Sequence, residues 1–196
     1  MNSKTKQIIR KIIYAILFIA MIASFIYLSE KYADNSKVKV MTINDYYENI
    51  SSDKFNILRG SEFVSTLKRE KGIVFIGSNT SEYSKKYIEI LESVIDEIDD
   101  LNSIYYYNIN SDKNQKNATF YEIRDLLSDS LITTDNSKNN LLAPSLYIIN
   151  KGEVLYYNIE TVAMKNTDTA KNYWTEEKET QFKDELKEAI NKYYLN

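Results

Sequence analysis

The stretch that decides the fold runs from Gly72 to Leu91, GIVFIGSNTSEYSKKYIEIL. An apolar run, Ile73 to Ile76, ends at a Gly-Ser-Asn-Thr turn, and an amphipathic segment begins directly after it. This pattern is typical of a buried strand that leads into a helix. The helix is predicted from about Ser81 to Asp99. Its sheet-facing side chains, at helical spacing, are Tyr87, Leu91, Val94, Ile95 and Ile98.

Upstream of this junction, Phe55 to Leu58 is predicted as an edge strand, and Ser61 as the cap of a short helix. Downstream, Ser103 to Ile109 is rich in β-forming residues and follows a turn. A helix between two such strands makes them parallel neighbours in one sheet. A second helix is then expected from about Ala118 to Leu127. Its inward side chains are Phe120, Ile123, Leu126 and Leu127.

The C-terminal third carries a hairpin signal. Residues 131–140 are predicted as a polar loop, and Pro144, the only proline, directly precedes the apolar strand Ser145–Ile149. An Asn-Lys-Gly turn, with Gly152 at positive φ, connects that strand to Val154–Tyr157 in an antiparallel pair. A final helix is expected near Glu176–Tyr194. The predicted fold class is α/β, with a mixed sheet covered by helices on both faces.

Composition excludes several kinds of chemistry. The 196 residues include no cysteine and no histidine, which removes disulfides, thiolate catalysis and the commonest zinc ligands. The net charge is -3, and the basic residues at the N-terminus precede the apolar run, so the remainder of the chain is more acidic. This charge distribution disfavours nucleic-acid binding. Acidic residues crowd the end of the first helix, at Asp96, Glu97, Asp99 and Asp100. A solvated helix end explains them better than a cation site, and neither metal nor cofactor is predicted.

The N-terminal region predicts a membrane anchor. Residues 1–11 form a basic tail, and residues 12–29, IIYAILFIAMIASFIYLS, carry no charge and are long enough to cross a bilayer. The positive-inside rule places the N-terminus in the cytoplasm and the remainder outside the cell membrane. A cleaved signal peptide is the alternative. Residues 30–58, with a possible short helix over 42–50, are predicted as a stalk, and residues 59–196 as the folded domain.

Three segments carry a resemblance to a known family: FIGSNTSEYSKKYIEIL (75–91), IYYYNIN (104–110) and APSLYIINKGEV (143–154). They resemble the thioredoxin-like superfamily, most closely the bacteriocin transport accessory branch of Gram-positive bacteria, over roughly Ser61 to Tyr194. By position, Ser81 and Ser84 stand where that family has its two redox cysteines. Pro144 stands where the family has a cis-proline that faces them.

The double serine changes what the resemblance implies about activity. A serine hydroxyl neither ionises near neutral pH nor forms an S–S bond, so thiol–disulfide exchange is excluded for this chain. A serine at a helix start is a favoured N-cap, which is the structural explanation of Ser81. A serine hydrolase would need a base, and without histidine only Lys85 or Lys86 is near enough in sequence.

The sequence therefore predicts a membrane-anchored accessory protein that binds an unknown peptide or protein, in peptide export or surface assembly. The predicted contact residues are Glu82, Tyr83, Ala143 and Pro144. Two alternatives stay open: a Cys-to-Ser form of a thiol oxidoreductase, and a structural subunit of a membrane complex.

Overall fold

The computed structural model describes residues 3–35, 41–134, 137–160 and 169–195. The chain divides into two compact units, Met1–Val40 and Met41–Asn196. In the first unit, helix α1 spans Ser3–Asn35 and contains the whole predicted anchor. The large apolar side chains whose burial is described are exposed, including Tyr14, Phe18, Phe25 and Tyr27. Within the part of the chain that the structure describes, no helix combines the length and the apolarity needed to cross a membrane.

The second unit is built from seven strands and six helices over its described residues. The strands are β1 (Phe55–Leu58), β2 (Lys71–Gly77), β3 (Ile104–Asn108), β4 (Ile132–Thr134), β5 (Ser137–Asn140), β6 (Ser145–Asn150) and β7 (Glu153–Asn158). The helices are α2 (Gly60–Arg69), α3 (Glu82–Asp96), α4 (Asn110–Gln115), α5 (Ala118–Leu126), α6 (Ala170–Tyr173) and α7 (Glu176–Ile190). A π-helical turn, Asn191–Leu195, extends α7.

Five strands form one mixed sheet in the order β1-β3-β2-β6-β7. Strand β3 lies parallel to both β1 and β2, which confirms the predicted crossover through α3. Strand β6 runs antiparallel to β2 and to β7. Lys151 and Gly152 form the β6–β7 turn with φ of +50° and +94°, so the predicted antiparallel hairpin with Gly152 at positive φ is confirmed.

The central strand β2 is buried on both sides because side chains alternate across the sheet. Ile73 and Phe75 face a core formed with α3 and α7, whereas Val74 and Ile76 face a second core formed with α2 and α5. The predicted sheet-facing stripe is confirmed, since all five of its side chains are buried; four of them lie on α3, and Ile98 follows the end of that helix. The predicted mixed α/β sheet with helices on both faces is therefore observed.

The domain begins earlier than the sequence predicted. Three residues of the expected stalk, 30–58, are buried in the core beside α3: Ile43, Tyr47 and Ile50. Phe55, also within that range, is buried in the outermost strand β1. Two backbone N–H groups, those of Ser51 and Ser52, donate to the Glu92 carboxylate at 2.8 Å each. The stalk prediction is thus wrong from residue 41 onward, because an apolar face in that segment is buried against the domain.

Three further expectations need correction. Helix α2 begins at Gly60 with Arg59 as its N-cap, not Ser61, and the Glu62 carboxylate accepts the Arg59 backbone N–H at 2.8 Å. The predicted loop over 131–140 contains the two-stranded ribbon β4–β5. Helix α3 ends at Asp96 instead of Asp99. The segment 161–168 of the expected polar excursion lies outside the described residues.

Candidate functional site

The predicted site residues meet at one edge of the five-stranded sheet. Strand β2 ends at Gly77, which is paired with Asn108, the last residue of β3. On its other side, Ile76 is paired with Ser145, the first residue of β6. The turn before α3 and the Ala143–Pro144 segment therefore leave neighbouring strands at the same edge. Pro144 is buried, Ala143 is half-buried, and the peptide bond between them is cis.

Ser81 is the N-cap of α3, as the sequence predicted. Its backbone is extended, with φ of -106° and ψ of 120°, and its Oγ accepts the Ser84 N–H at 3.4 Å. The carbonyl of Ser81 accepts the first helical hydrogen bond, from Lys85 N–H at 3.0 Å. An N-cap serine satisfies one backbone donor that the helix leaves unpaired, and this accounts for Ser81 without any catalytic role.

Ser84 occupies a different environment, although only three positions separate it from Ser81. Its side chain is 0% exposed. Its Oγ accepts the backbone N–H of Ser78 at 3.0 Å, which joins the first turn of α3 to the preceding turn. A buried hydroxyl in a hydrogen bond of this kind holds local structure and is not open to solvent.

Two tyrosines that the sequence did not assign to the site lie beneath it. The Tyr106 hydroxyl donates to the Tyr47 hydroxyl at 3.2 Å, and both side chains are buried. A Cβ at Gly77 would lie 2.5 Å from the Tyr47 hydroxyl oxygen, so glycine is needed for this close approach. Burial raises the pKa of Tyr47 to about 12, although hydrogen bonding with Tyr106 and Ser84 opposes the rise. Tyr47 therefore stays protonated at neutral pH.

Side-chain amides brace the turn that precedes α3. Asn79 Oδ1 accepts from Asn108 Nδ2 at 3.0 Å and from Asn110 Nδ2 at 2.8 Å. Asn110 Nδ2 also lies 3.2 Å from Thr80 Oγ1, which is a further 3.2 Å from Ser78 Oγ. These bonds tie the turn to the end of β3 and the start of α4. Only the fold brings these side chains together, because about 30 residues separate them.

The predicted contact residues differ in accessibility. Glu82 is exposed on the first turn of α3, and Tyr83 next to it is half-buried. At the adjoining edge, Ala143 is half-buried and Pro144 is buried. The structure thus brings Glu82 and Tyr83 to the same sheet edge as Ala143 and Pro144. Their role in binding stays a prediction.

The acidic end of α3 is occupied by an ion pair. Glu97 accepts a hydrogen bond from Lys187 of α7, and this bond lowers the pKa of the Glu97 carboxyl. Across the described residues, no group of three or more acidic side chains is arranged to hold a metal ion. The ion pair explains Glu97 as a surface contact between two helices.

Comparison of the chain with protein-family models found no match, and comparison with curated proteins found none either.

Proposed function

We propose that this chain is a thioredoxin-like protein without redox cysteines, held at the cell membrane through residues 12–29, whose extracytoplasmic domain binds an extended peptide or protein segment. The partner is recognised at the sheet edge formed by Glu82, Tyr83, Ala143 and Pro144. No covalent chemistry is assigned to this edge.

The order of the elements supports the thioredoxin-like assignment. Strand, helix, strand, helix and a closing hairpin followed by a helix all occur in the expected sequence, from β2 to α7. The strand–turn–helix at Ser81 and the Ala-Pro before β6 lie at one edge of the sheet, as the resemblance implies.

The observation that carries the binding proposal is the role of the two serines. Ser81 caps α3, and Ser84 is buried in a hydrogen bond with Ser78, so both hydroxyls hold the shape of the edge. A sheet edge that keeps its shape without a thiol still binds a partner, but it does not catalyse disulfide exchange. In strand addition, main-chain hydrogen bonds bind an extended partner segment, and the half-buried Ala143 before β6 is the residue assigned this role.

The membrane location rests on the sequence of residues 1–29 and on the exposure of α1. Basic residues precede an uncharged run, the order that the positive-inside rule associates with a cytoplasmic N-terminus. Side chains at successive positions, such as Leu17, Phe18 and Ile19, are all exposed, so the helix presents apolar surface all round. Lipid would cover such a surface.

A photo-reactive amino acid at position 83 tests the proposal. In intact protoplasts that carry the full chain, illumination should give a discrete adduct, identified by mass spectrometry. For capture of the identified partner by pull-down with chains that carry no photo-reactive residue, Tyr83→Ala should weaken binding by about 1 to 3 kcal/mol, the range of an interface anchor, with little change in melting temperature. Protease added outside the protoplasts should digest the domain.

Tyr121→Ala is the matched control, since this exposed tyrosine lies on α5 and not at the sheet edge. It should leave capture unchanged. If Tyr83→Ala left capture intact and lowered the melting temperature, Tyr83 would be a packing residue and the proposed edge would be wrong.

A further inference from the structure

The turn between β2 and α3 is held differently at its base and at its tip. At the base, the Ser81 N–H donates to the Ser78 carbonyl at 3.0 Å, and the Ser84 hydroxyl accepts the Ser78 N–H. Asn79 and Thr80 form the exposed tip, and their backbone groups form no hydrogen bond with any described residue. Among these residues, the tip is therefore held through side chains.

The side-chain oxygen of Asn79 is the main anchor of this tip. It accepts from Asn108 Nδ2 at 3.0 Å and from Asn110 Nδ2 at 2.8 Å. The two donors lie on regular elements, at the last residue of β3 and the first residue of α4. They are also joined to each other, since Asn108 Oδ1 accepts the Asn110 backbone N–H at 3.2 Å. One acceptor atom thus links the tip to two elements, and Thr80 Oγ1 adds a longer contact with Asn110.

The predicted contact residues follow directly after this turn. Glu82 and Tyr83 lie on the first turn of α3, where backbone N–H groups have no acceptor within the helix. Groups ahead of a helix therefore hold its first turn in place. Here the cap bond from the Ser84 N–H to Ser81 Oγ is long, at 3.4 Å, and a long hydrogen bond restrains weakly. The bracing of the preceding turn consequently matters for the position of Glu82 and Tyr83.

We infer that Asn79 is a positioning residue of the candidate edge, whose side-chain oxygen holds the turn so that Glu82 and Tyr83 meet the partner in one arrangement. This inference rests on the proposed function, and it assigns to that site a residue that acts without contacting the partner. A surface fixed before binding loses less conformational entropy on binding than a mobile one. Loss of the bracing should therefore weaken capture although every contact residue is still present.

Photo-crosslinking in intact protoplasts tests the role of Asn79. The full chain carries the photo-reactive residue at position 83, and the yield of the adduct is measured below saturation. Asn79→Ala should lower this yield on the order of tenfold, because two hydrogen bonds between neutral groups are lost. Asn79→Asp keeps an oxygen acceptor for both amide donors, so its yield should stay within about twofold of that of the unaltered chain.

Two further variants show whether the effect passes through the amide cluster. Asn110→Ala removes one of the two donors and should lower the yield less than Asn79→Ala does. The double variant should give a yield close to that of Asn79→Ala alone, because both substitutions remove the same hydrogen bond. Asn114→Ala is the matched control, since Asn114 is exposed on α4 and lies outside the cluster. It should leave the yield unchanged.

Equal yields from the Asn79→Ala chain and the unaltered chain would overturn the inference and leave the proposed function standing. An equal loss in Asn79→Asp and Asn79→Ala would also overturn it, because the side-chain NH₂ group and not the oxygen would then be required. So would a loss of yield that melting temperatures trace to unfolding of the Asn79→Ala chain. Absence of any adduct from the unaltered chain would overturn the proposed function itself, and this inference with it.

Discussion

At the scale of single residues, the two serines of the S-x-x-S motif have separate structural tasks. Ser81 is partly accessible and caps α3 through a long bond of 3.4 Å. Ser84 is inaccessible and satisfies a backbone donor of the preceding turn at 3.0 Å. The buried position is therefore the more sensitive one. An alanine there leaves the Ser78 N–H without its acceptor.

Ser84→Ala should lower the free energy of unfolding by about 1 to 3 kcal/mol, because the cost of an unsatisfied buried donor exceeds the small gain in helix propensity. Urea denaturation measures the difference. Ser93→Ala on the same helix is the control. Its Oγ bonds back to the Ile90 carbonyl at 2.7 Å, and its removal should change stability by less than about 0.5 kcal/mol. Equal stability of the Ser84→Ala variant and the unaltered domain would contradict the structural role.

At the scale of elements, the segment from Met41 to Lys54 is part of the domain. Its apolar side chains enter the core beside α3, and its backbone is fixed by the Glu92 carboxylate. Lys54 Nζ donates to the Ile95 carbonyl at 2.7 Å, near the C-terminal end of α3. Lysine at a helix C-terminus pairs with otherwise unsatisfied carbonyls. These contacts join the segment to the helix that begins at the candidate site.

Ile50→Ala tests this attachment. Ile50 is 1% exposed, so the substitution should leave a cavity and cost about 2 to 5 kcal/mol of unfolding free energy. Met41→Ala in the same segment, where the side chain is 43% exposed, should change stability by less than about 0.5 kcal/mol. Chemical denaturation of the two variants gives the comparison. A loss below 0.5 kcal/mol for Ile50→Ala would restore the interpretation of this segment as a stalk.

At the scale of the whole molecule, buried tyrosines appear in both cores. Burial raises the pKa of Tyr47 and of Tyr147 to about 12, and it raises the pKa of Tyr106 far more. The pKa of a tyrosine in the unfolded chain is about 10. The folded state therefore holds these protons more tightly than the unfolded state. The stability that they contribute is complete below pH 10 and is lost as pH rises toward 12.

The free energy of unfolding should consequently fall above pH 10, by up to about 1.4 kcal/mol per pH unit for each such tyrosine. Urea titrations at pH 8, 10 and 11 measure the slope. Tyr47→Phe removes one of these groups and should make the slope shallower by about that amount. This comparison separates the tyrosine from lysines that titrate in the same range. An identical slope in the variant would show that Tyr47 does not contribute.

Much of the sheet could be predicted from sequence because its signals are local. The run Ile73–Ile76 followed by turn residues predicts β2 and α3, and Asn150-Lys151-Gly152 predicts the hairpin, since each pattern depends on neighbouring residues. The absence of cysteine settles the exclusion of thiol chemistry, because no fold supplies a missing thiol. Ser81 as a cap follows from its position directly before a helical periodicity.

Other features depend on residues that are distant in sequence. The hydrogen bond between Tyr47 and Tyr106 joins positions 59 residues apart, and nothing in the local pattern of either tyrosine distinguishes it from the other tyrosines. The amide cluster at Asn79 likewise depends on contacts between segments that are distant in sequence. The same holds for the burial of residues 41–54 in the core. Local periodicity specifies which face of an element is apolar. Only the tertiary structure decides what covers that face, because the covering side chains come from elsewhere in the chain.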